Sequence, residues 1–233
     1  MADFIWPKRI LTPSDKAVSF NPQNTGGGQA ISGGEQVIGN SPGRASITLM
    51  GIRLKTKQQV KCWQALEGAL EGRNKTILVP LFEYSRAPWP IVGGSPLMSY
   101  GDIPFDDGAL FDDGAGFYQP VIDAVAASAV AEGAVTAEIQ VNYGGEPDAG
   151  CHFGYGEYAA RITQVLDVDN SGDAPVYTVK FRLPAREAIA AGDALDFDDP
   201  MIRCRLANDN GMDMQLAQWK FGNNPNVVFT EDV

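Results

Sequence analysis

Strict alternation of apolar and polar residues in the second half of the chain constrains the fold more than any other feature. Residues 135–143 place Val135, Ala137, Ile139, Val141 and Tyr143 at every second position, with polar residues between them. Residues 177–183 repeat this pattern. A period of two is that of a β-strand with one buried face and one solvated face. The second half of the chain is therefore predicted to be β-sheet.

Turn sequences separate further segments of the same kind. Residues 158–168 and 202–206 carry apolar residues in strand-like order, and residues 169–173 and 208–211 combine Asn, Asp and Gly. These turn residues favour the backbone conformations of tight hairpins, and the second turn is expected to lead into a strand at residues 212–219. Short strands at regular spacing are typical of a β-sandwich or barrel. We predict a mainly β fold, a β-sandwich.

One amphipathic helix is predicted at about residues 57–71. Thr56 and Gln59 form a capping box, in which each side chain satisfies a backbone amide at the start of the helix. Spacing of 3.6 residues brings the apolar residues of this segment to one face, namely Val60, Cys62, Trp63, Leu66, Ala69 and Leu70. Gly72 is expected to supply the left-handed conformation that ends the helix.

The predicted domain organisation is an arm followed by one domain. Residues 1–44 are expected to form an N-terminal arm with short strands at 17–20 and 36–38, joined by glycine-rich flexible loops. Such an arm is suited to ordering against a neighbouring subunit. Residues 45–233 are expected to form a single β-sandwich domain, which includes the helix and a turn-rich loop insertion at residues 84–120.

Two local features refine this organisation. The strand at residues 45–54 changes its apolar phase at Gly51, which predicts a β-bulge there. Residues 120–131 are rich in alanine and predict a short helix. Its apolar residues in helical register are Val121, Ile122, Val125 and Ala129.

Charge and composition exclude several classes of function. The net charge is −11 and the pI is about 4.5. Binding to nucleic acid requires clustered Lys and Arg, so no sequence-specific nucleic acid is expected as a partner. No apolar run approaches the roughly 18 residues of a membrane span, and no signal peptide is recognised, so we expect a soluble protein made in the cytoplasm. Cys62, Cys151 and Cys204 show no metal-like spacing and are expected to be buried free thiols.

An acidic repeat lies in the predicted loop insertion. The sequence Phe-Asp-Asp-Gly-Ala occurs at residues 105–109 and again at residues 111–115. Its four aspartates, Asp106, Asp107, Asp112 and Asp113, are weak calcium candidates, because the pattern lacks the alternating acids and distant Glu of an EF-hand. The favoured interpretation is a solvated loop held by three aromatic anchors, Phe105, Phe111 and Phe117. We expect no metal and no organic cofactor.

No catalytic residues are predicted. His152 is the only histidine, and with Cys151 it lies in a glycine-rich sequence that is expected to be a loop before a strand. Two other classes of function stay open. A glycoside hydrolase would use paired carboxylates, whose separation the sequence does not reveal. A carbohydrate-binding β-sandwich would use an aromatic platform, with Trp89, Tyr100, Phe117, Tyr118 or Trp219 as candidates.

Several segments together resemble a family of small tail proteins from long-tailed bacteriophages and prophages, related to the distal tail protein. The similar segments are the helix end and following strand at residues 65–80, the Asp-Gly loop at 105–117, and the closing block at 181–211 with its final strand at 227–229. The resemblance rests on the order and spacing of these segments and covers residues 45–233. The Asp-Gly loop reads Asp-Asp-Gly twice where the family would have Ser-Asp-Gly.

The resemblance implies a structural protein of the virion tail, without catalysis. It implies a homo-oligomeric ring, a hexamer by expectation, that joins the tail tube protein to baseplate hub or tail fibre proteins. The loop insertion would then pack at a subunit interface, with Phe105, Phe111 and Phe117 as anchors.

Overall fold

The fold is known from a computed structural model. It describes residues 2–21, 24–29, 33, 35–39, 43–82, 86–101, 103–104, 106–110, 119–213 and 224–233, and for 24–29 and 35–39 the backbone alone. The elements up to the helix are β1 (Phe4–Ile5), β2 (Asp15–Asn21), β3 (Asn24–Gln29), β4 (Glu35–Gly39), β5 (Arg44–Met50) and α1 (Lys57–Leu70). Those that follow are β6 (Ile77–Pro80), β7 (Ile91–Val92), β8 (Ser95–Pro96), β9 (Asp123–Ala126), β10 (Thr136–Tyr143), β11 (His152–Tyr155), β12 (Tyr158–Asp169), β13 (Val176–Arg182), β14 (Met201–Leu206) and β15 (Val227–Glu231).

This architecture is mainly β with a single helix among the described residues, which confirms the predicted fold class at that level. The chain divides into two compact units. The first unit comprises Met1–Phe82 and Met201–Val233, and the second comprises Glu83–Pro200. The only helix in the described ranges is not long and apolar enough to cross a membrane.

The two units differ from the predicted arm and single sandwich domain. Strand β2, which lies within the predicted arm of residues 1–44, pairs with β5 along its whole length, from Asp15 opposite Met50 to Asn21 opposite Arg44. It is therefore part of a domain sheet. The predicted domain of residues 45–233 is interrupted because β14 and β15 return to the first unit after the second unit is complete. Strand pairing over such sequence distances leaves no local signal.

The first unit is built on a six-stranded sheet in the order β1-β6-β14-β15-β5-β2. Strand β1 is parallel to β6, and the other neighbours are antiparallel. Helix α1 buries Trp63, whose indole N–H donates to the carbonyl of Met212 at 2.8 Å. Trp6 lies edge-on to Trp63 and to Phe229 of β15, with ring centroids 6.4 and 5.6 Å apart. These aromatic contacts join the helix to the centre of the core.

Helix α1 begins as predicted. The Gln59 amide donates to the Thr56 hydroxyl at 3.2 Å, and the Gln59 side chain accepts from the Thr56 amide at 3.1 Å. At the other end the first left-handed residue is Glu71, with φ of 49°, and Gly72 follows with φ of 66°. The prediction thus located the stop but assigned it one residue late.

The second unit is built on a five-stranded sheet in the order β11-β12-β13-β10-β9. Its two edge strands meet the same segment, because Val125 of β9 bridges Ala194 while Gly154 of β11 bridges Asp196. The Gly154 amide donates to the Asp196 carbonyl at 2.6 Å, and the reverse bond measures 3.0 Å. Residues 189–196 therefore close the sheet on itself. A closed sheet has no exposed strand edge in this circuit.

The interior of the second unit is a single apolar cluster. It includes Ile139 and Val141 of β10 and Val179 and Phe181 of β13, which are the inward residues of the alternating patterns. Phe153 of β11 lies edge-on to Phe181 at 5.6 Å. The alternation in the sequence thus identified the inward residues within both strands, but Val135 and Tyr143 at the two ends of the first pattern are exposed.

Several local predictions were wrong. The alanine-rich segment predicted as a helix at 120–131 contains β9, because its backbone pairs with β10 on one side and with residues 193–195 on the other. Pairing in the sheet outweighs the helix propensity of alanine. Gly51 does not form a bulge within a strand, since β5 ends at Met50 and Gly51 turns with φ of 63°.

Two further predictions concern flexible or hairpin segments. The glycine-rich sequence expected to be loops contains β3, which pairs with β4. The turn at residues 208–211 is present, but Met212 still lies in it, and the strand predicted at 212–219 falls mostly outside the described residues. The described partners of β14 are β6 and β15, and not the strand that was predicted to follow the turn.

Candidate functional site

A two-stranded ribbon extends one hairpin of the first unit. Beyond Asn21 and Arg44, where β2 and β5 stop pairing, β3 pairs with β4, with Asn24 opposite Gly39 and Thr25 opposite Ile38. We call β3 and β4 the ribbon. Among the residues that the structure describes, the ribbon has no third strand. A two-stranded ribbon is marginally stable alone, and its outer edges present backbone N–H and C=O groups for another strand.

An apolar hairpin stands out from the second unit. Strands β7 and β8 pair around Gly93 and Gly94, which both have positive φ, and the side chains of Ile91 and Val92 are 68% and 54% exposed. We call residues 91–96 the apolar hairpin. Three more exposed apolar side chains follow it in the chain, namely Met98, Tyr100 and Leu110. Adjacent exposed apolar side chains, such as those of Ile91 and Val92, are typical of a surface that another protein covers.

The predicted interface anchors are three phenylalanines of the loop insertion. Phe105, Phe111 and Phe117 all lie outside the described residues. The sequence prediction that they contact a neighbouring subunit therefore stays a prediction. What the structure adds is the apolar hairpin, which the turn-rich sequence of residues 84–96 did not suggest, because isolated apolar residues among Pro and Gly have no periodicity.

The acidic repeat is described only in its first half. Asp106 and Asp107 are exposed, and the Asp107 carboxylate accepts the amide of Ala109 at 2.9 Å, which stabilises the turn. Asp112 and Asp113 lie outside the described residues. In the described parts of the chain, no three His, Cys, Asp or Glu side chains are arranged to hold a metal ion. Asp107 has a structural role in the turn.

A polar groove opens at one end of the six-stranded sheet. It has a volume of about 470 Å³ and is lined by three arginines, which come from β5, from the turn after α1 and from β14. These are Arg44, Arg73 and Arg205. We call it the arginine groove. Three acidic residues, Asp209, Glu231 and Asp232, share its lining.

Ion pairs and backbone contacts hold the groove together. The Arg73 side chain and amide both donate to Asp209, at 3.1 and 3.3 Å, and these bonds and the adjacent charge lower the pKa of Asp209. Asp209 also packs against Gly72, where a Cβ would lie 3.1 Å from the carboxylate oxygen. Arg205 donates to Asp232 at 2.7 Å, and Arg203 pairs with the same carboxylate at 3.3 Å.

The predicted noncatalytic role of His152 and the cysteines can be compared with their environment. His152 is not in the predicted loop but begins β11, and its side chain is 2% exposed. The Cys151 thiol donates to the Arg86 carbonyl at 3.0 Å. Burial raises the pKa of Cys62 and, more strongly, of Cys204, which the Glu231 and Asp232 charges raise further. All three cysteines are free thiols, as predicted, but only Cys151 and Cys204 are buried, whereas Cys62 is half-buried.

The aromatic residues considered as a sugar platform do not form one among the described residues. Trp89 is 8% exposed and belongs to the core of the second unit. Tyr100 is exposed, whereas Phe117, Tyr118 and Trp219 lie outside the described residues. A flat exposed platform needs at least one accessible ring face, and Trp89 offers none.

A buried carboxylate that the sequence did not single out is found in the second unit. Asp198 accepts the amides of Val121 and Ile122 at 2.5 and 3.1 Å, and its side chain is buried. Burial raises the pKa of Asp198, and the two amides partly offset this effect. The carboxylate joins the start of β9 to the end of the closing segment, which is a structural role.

Three surfaces are therefore best suited to association with another protein: the ribbon, the apolar hairpin and the arginine groove. Each offers a different interaction, namely backbone pairing, apolar contact and ion pairing. In comparisons with known proteins, no family model and no curated protein sequence matches this chain.

Proposed function

We propose that the protein is a structural component of a bacteriophage tail, which forms a homo-oligomeric ring and joins the tail tube to the baseplate. The observation that carries the proposal is the ribbon, whose edges have no partner strand among the described residues. The sequence resemblance to small tail proteins gives the context. In this function the protein acts by assembly and has no catalytic step.

Backbone pairing is the first contribution to assembly. Strands β3 and β4 extend the β2–β5 hairpin beyond the sheet, where their only described ladder is with each other. Ordering a ribbon without burying it costs conformational entropy, which pairing with a neighbouring chain would offset. Strand addition supplies main-chain hydrogen bonds along the whole contact, so the ribbon is suited to a permanent structural interface.

Apolar contact is the second contribution. Ile91 and Val92 lie at the exposed hairpin, and burying either side chain fully would contribute about 1.5–3 kcal/mol. Ring closure needs a head-to-tail interface, in which two different surfaces of each copy meet. The ribbon and the apolar hairpin are two such surfaces on different units. The ring would stack on the tail tube protein and present its other face to baseplate hub or tail fibre proteins.

Removal of the ribbon tests the proposal. Replacing residues 22–42 by a short glycine-containing turn would join β2 directly to β5, whose last paired residues are Asn21 and Arg44. We expect the wild-type protein to form rings, alone or with the tail tube protein, and the shortened variant to stay monomeric. Native mass spectrometry and electron-microscope class averages would measure both states.

A pair of point variants serves as the matched control. Ile91→Ser removes an exposed apolar side chain from the apolar hairpin, and Leu166→Ser removes one from the exposed part of β12. We expect Ile91→Ser to weaken assembly and Leu166→Ser to leave it unchanged. Rings formed equally well by the shortened variant, or a wild-type monomer even beside the tube protein, would contradict the proposal.

A further inference from the structure

The arginine groove offers positive charge in an otherwise acidic protein. The chain has 18 Lys and Arg against 29 Asp and Glu, yet Arg44, Arg73 and Arg205 meet around one cavity of about 470 Å³. Four separate segments supply the lining, since Thr230 and its neighbours belong to β15. Arginine presents a planar fork of donors that matches a carboxylate. The groove therefore has the chemistry to receive an acidic side chain.

The acidic residues of the groove are already engaged. Asp209 accepts from Arg73, and Asp232 accepts from Arg205 and pairs with Arg203. Glu231 is buried, and its carboxylate accepts the amide of Ala45 at 2.7 Å. These contacts orient the arginines and account for the local negative charge.

Of the three arginines in the groove, Arg44 is the one whose positive charge is not neutralised by an ion pair with a described residue. It begins β5, its side chain is exposed, and it belongs to no ion pair found among the described residues. Arg205 directs its Nη1 towards the Arg73 carbonyl at 3.5 Å, which is a weak contact. Arg44 is therefore the lining arginine available to pair with an entering carboxylate, and Arg205 belongs to the same lining.

The first acidic repeat supplies a matching ligand. Asp106 and Asp107 are both exposed, in a turn that Asp107 stabilises through the Ala109 amide and that Gly108 closes with φ of 80°. The Asp106 carboxylate takes no part in that turn contact. Two adjacent acids on a short turn are compact enough for a cavity of this size.

We propose that the arginine groove receives the Asp106–Asp107 turn of a second copy of this chain. The inference rests on the proposed function, because it names a contact between neighbouring subunits of the ring. The groove lies in the first unit and the turn in the second, so each subunit carries both halves of a head-to-tail contact. Charge complementarity of this kind selects the partner and sets the register of the interface.

Charge exchange tests the contact. Arg44→Glu and Asp106→Lys should each weaken ring assembly about tenfold at low ionic strength, because a pair of opposite charges becomes a pair of like charges. The double variant Arg44→Glu/Asp106→Lys should restore assembly. Matched controls are Arg53→Glu and Asp173→Lys, which make the same charge changes at exposed positions outside the groove and the turn, and they should leave assembly unchanged.

Mixing the two single variants distinguishes a contact between copies from one within a chain. In an alternating ring, the Glu at position 44 of one copy would face the Lys at position 106 of its neighbour, and the next contact would be the native pair. An equimolar mixture should therefore form rings at protein concentrations at which neither variant forms them alone. Rescue by the double variant without rescue by the mixture would overturn the proposal, as would unchanged assembly of both single variants.

A second measurement separates this inference from the proposed function. If the wild-type protein forms no ring under any condition, the proposed function fails, and the groove is tested with an octapeptide of residues 103–110. Its expected effect is a set of amide chemical-shift changes around Arg44 and Arg205, absent with a peptide that has Asn at both Asp positions. A wild-type ring together with unchanged assembly of Arg44→Glu would leave the proposed function standing and reject the groove contact.

Discussion

The two units of this protein use β-sheet in opposite ways. The second unit closes its sheet through residues 189–196, so β9 and β11 both find partners. Among the described residues, the first unit keeps an open sheet, with β1 and β2 at its edges, and the ribbon follows β2 in the chain. An open edge invites another strand, whereas a closed sheet does not. Association by backbone pairing is therefore expected at the first unit and not at the second, where association depends on side chains.

The same contrast appears in how each core is held. The first unit relies on a helix whose Trp63 contacts Trp6. The second relies on the inner face of one closed sheet, with Phe153 among its fully buried side chains. One core needs an added layer and the other covers itself, although both come from one chain.

Truncation of the central aromatic residues should break each unit separately and have the largest effect. Trp63→Ala and Phe153→Ala each remove a fully buried ring, and each should lower the free energy of unfolding by about 3–5 kcal/mol. Hydrogen exchange should show lost protection in the first unit for Trp63→Ala and in the second for Phe153→Ala.

The conservative variant Trp63→Phe isolates one contribution to the first of these effects. It keeps most of the ring volume but loses the N–H donated to Met212 at 2.8 Å. Its destabilisation should be smaller than that of Trp63→Ala. Equal loss of protection in both units after either alanine substitution would show that they unfold together and would remove the contrast.

Removal of the Asp198 carboxylate should weaken the second unit more moderately. Asp198→Ala would leave the buried amides of Val121 and Ile122 without an acceptor, at a cost of about 2–4 kcal/mol. Urea unfolding, followed by a probe in β9, measures the loss. Asp198→Asn keeps one acceptor oxygen and should lose less, and a larger loss for Asn than for Ala would contradict this explanation.

Acidification should change the free energies of unfolding of the two units in opposite directions. Hydrogen bonds from the Thr76 amide and hydroxyl lower the pKa of Asp3, so its stabilisation of the first unit is present above pH 3.8 and is lost as the pH falls through the folded value. Burial raises the pKa of Asp198, so its protonated form favours the folded second unit below pH 3.8, and this contribution is lost as the pH rises through the folded value.

The variants Asp3→Asn and Asp198→Asn provide the measurement. The stability difference between wild type and Asp3→Asn should shrink on acidification, and that between wild type and Asp198→Asn should move in favour of wild type. Carboxyl carbon chemical shifts would report each pKa directly. Titration of both groups on the same side of 3.8 would contradict the assignment.

Relief of backbone strain should give the smallest effects. Glu71 in the first unit and Leu183 in the second are non-glycine residues with φ of 49° and 67°. Glu71→Gly should stabilise the protein by about 0.5–1 kcal/mol, because glycine adopts this conformation without strain. Leu183→Gly should gain less, since it also loses partly buried apolar contact. Thermal unfolding would rank the two, and destabilisation by Glu71→Gly would contradict the strain argument.

Local patterns in the sequence identified most of the regular elements. The capping box located the start of α1, Gly72 located its end to within one residue, and strict alternation identified the inward residues of β10 and β13 except the exposed Tyr143. These signals are local because they reflect capping hydrogen bonds and the two-residue period of a strand. The helix predicted at residues 120–131 was wrong, because strand pairing in the sheet outweighs the helix propensity of alanine there.

Which distant segments of the chain pair or meet in the fold could not be predicted from the sequence. The partners of β14, the closure by residues 189–196 and the gathering of Arg44, Arg73 and Arg205 join segments far apart in the chain. Arginines scattered at such distances have no spacing to recognise. The exposure of Ile91 and Val92 was equally hidden, because whether an apolar residue is buried depends on what surrounds it.

The order of the strands in the first unit has a consequence for biosynthesis. Strands β14 and β15 occupy the middle of that sheet, between β6 and β5, although they are made after the whole second unit. On the ribosome, the second unit has all its strands as soon as residue 200 has emerged, while the first still has a gap at its centre. The inserted unit is thus free to fold first. The first unit can complete its sheet only after synthesis has passed residue 231. The folding of its association-prone strands is therefore delayed until then.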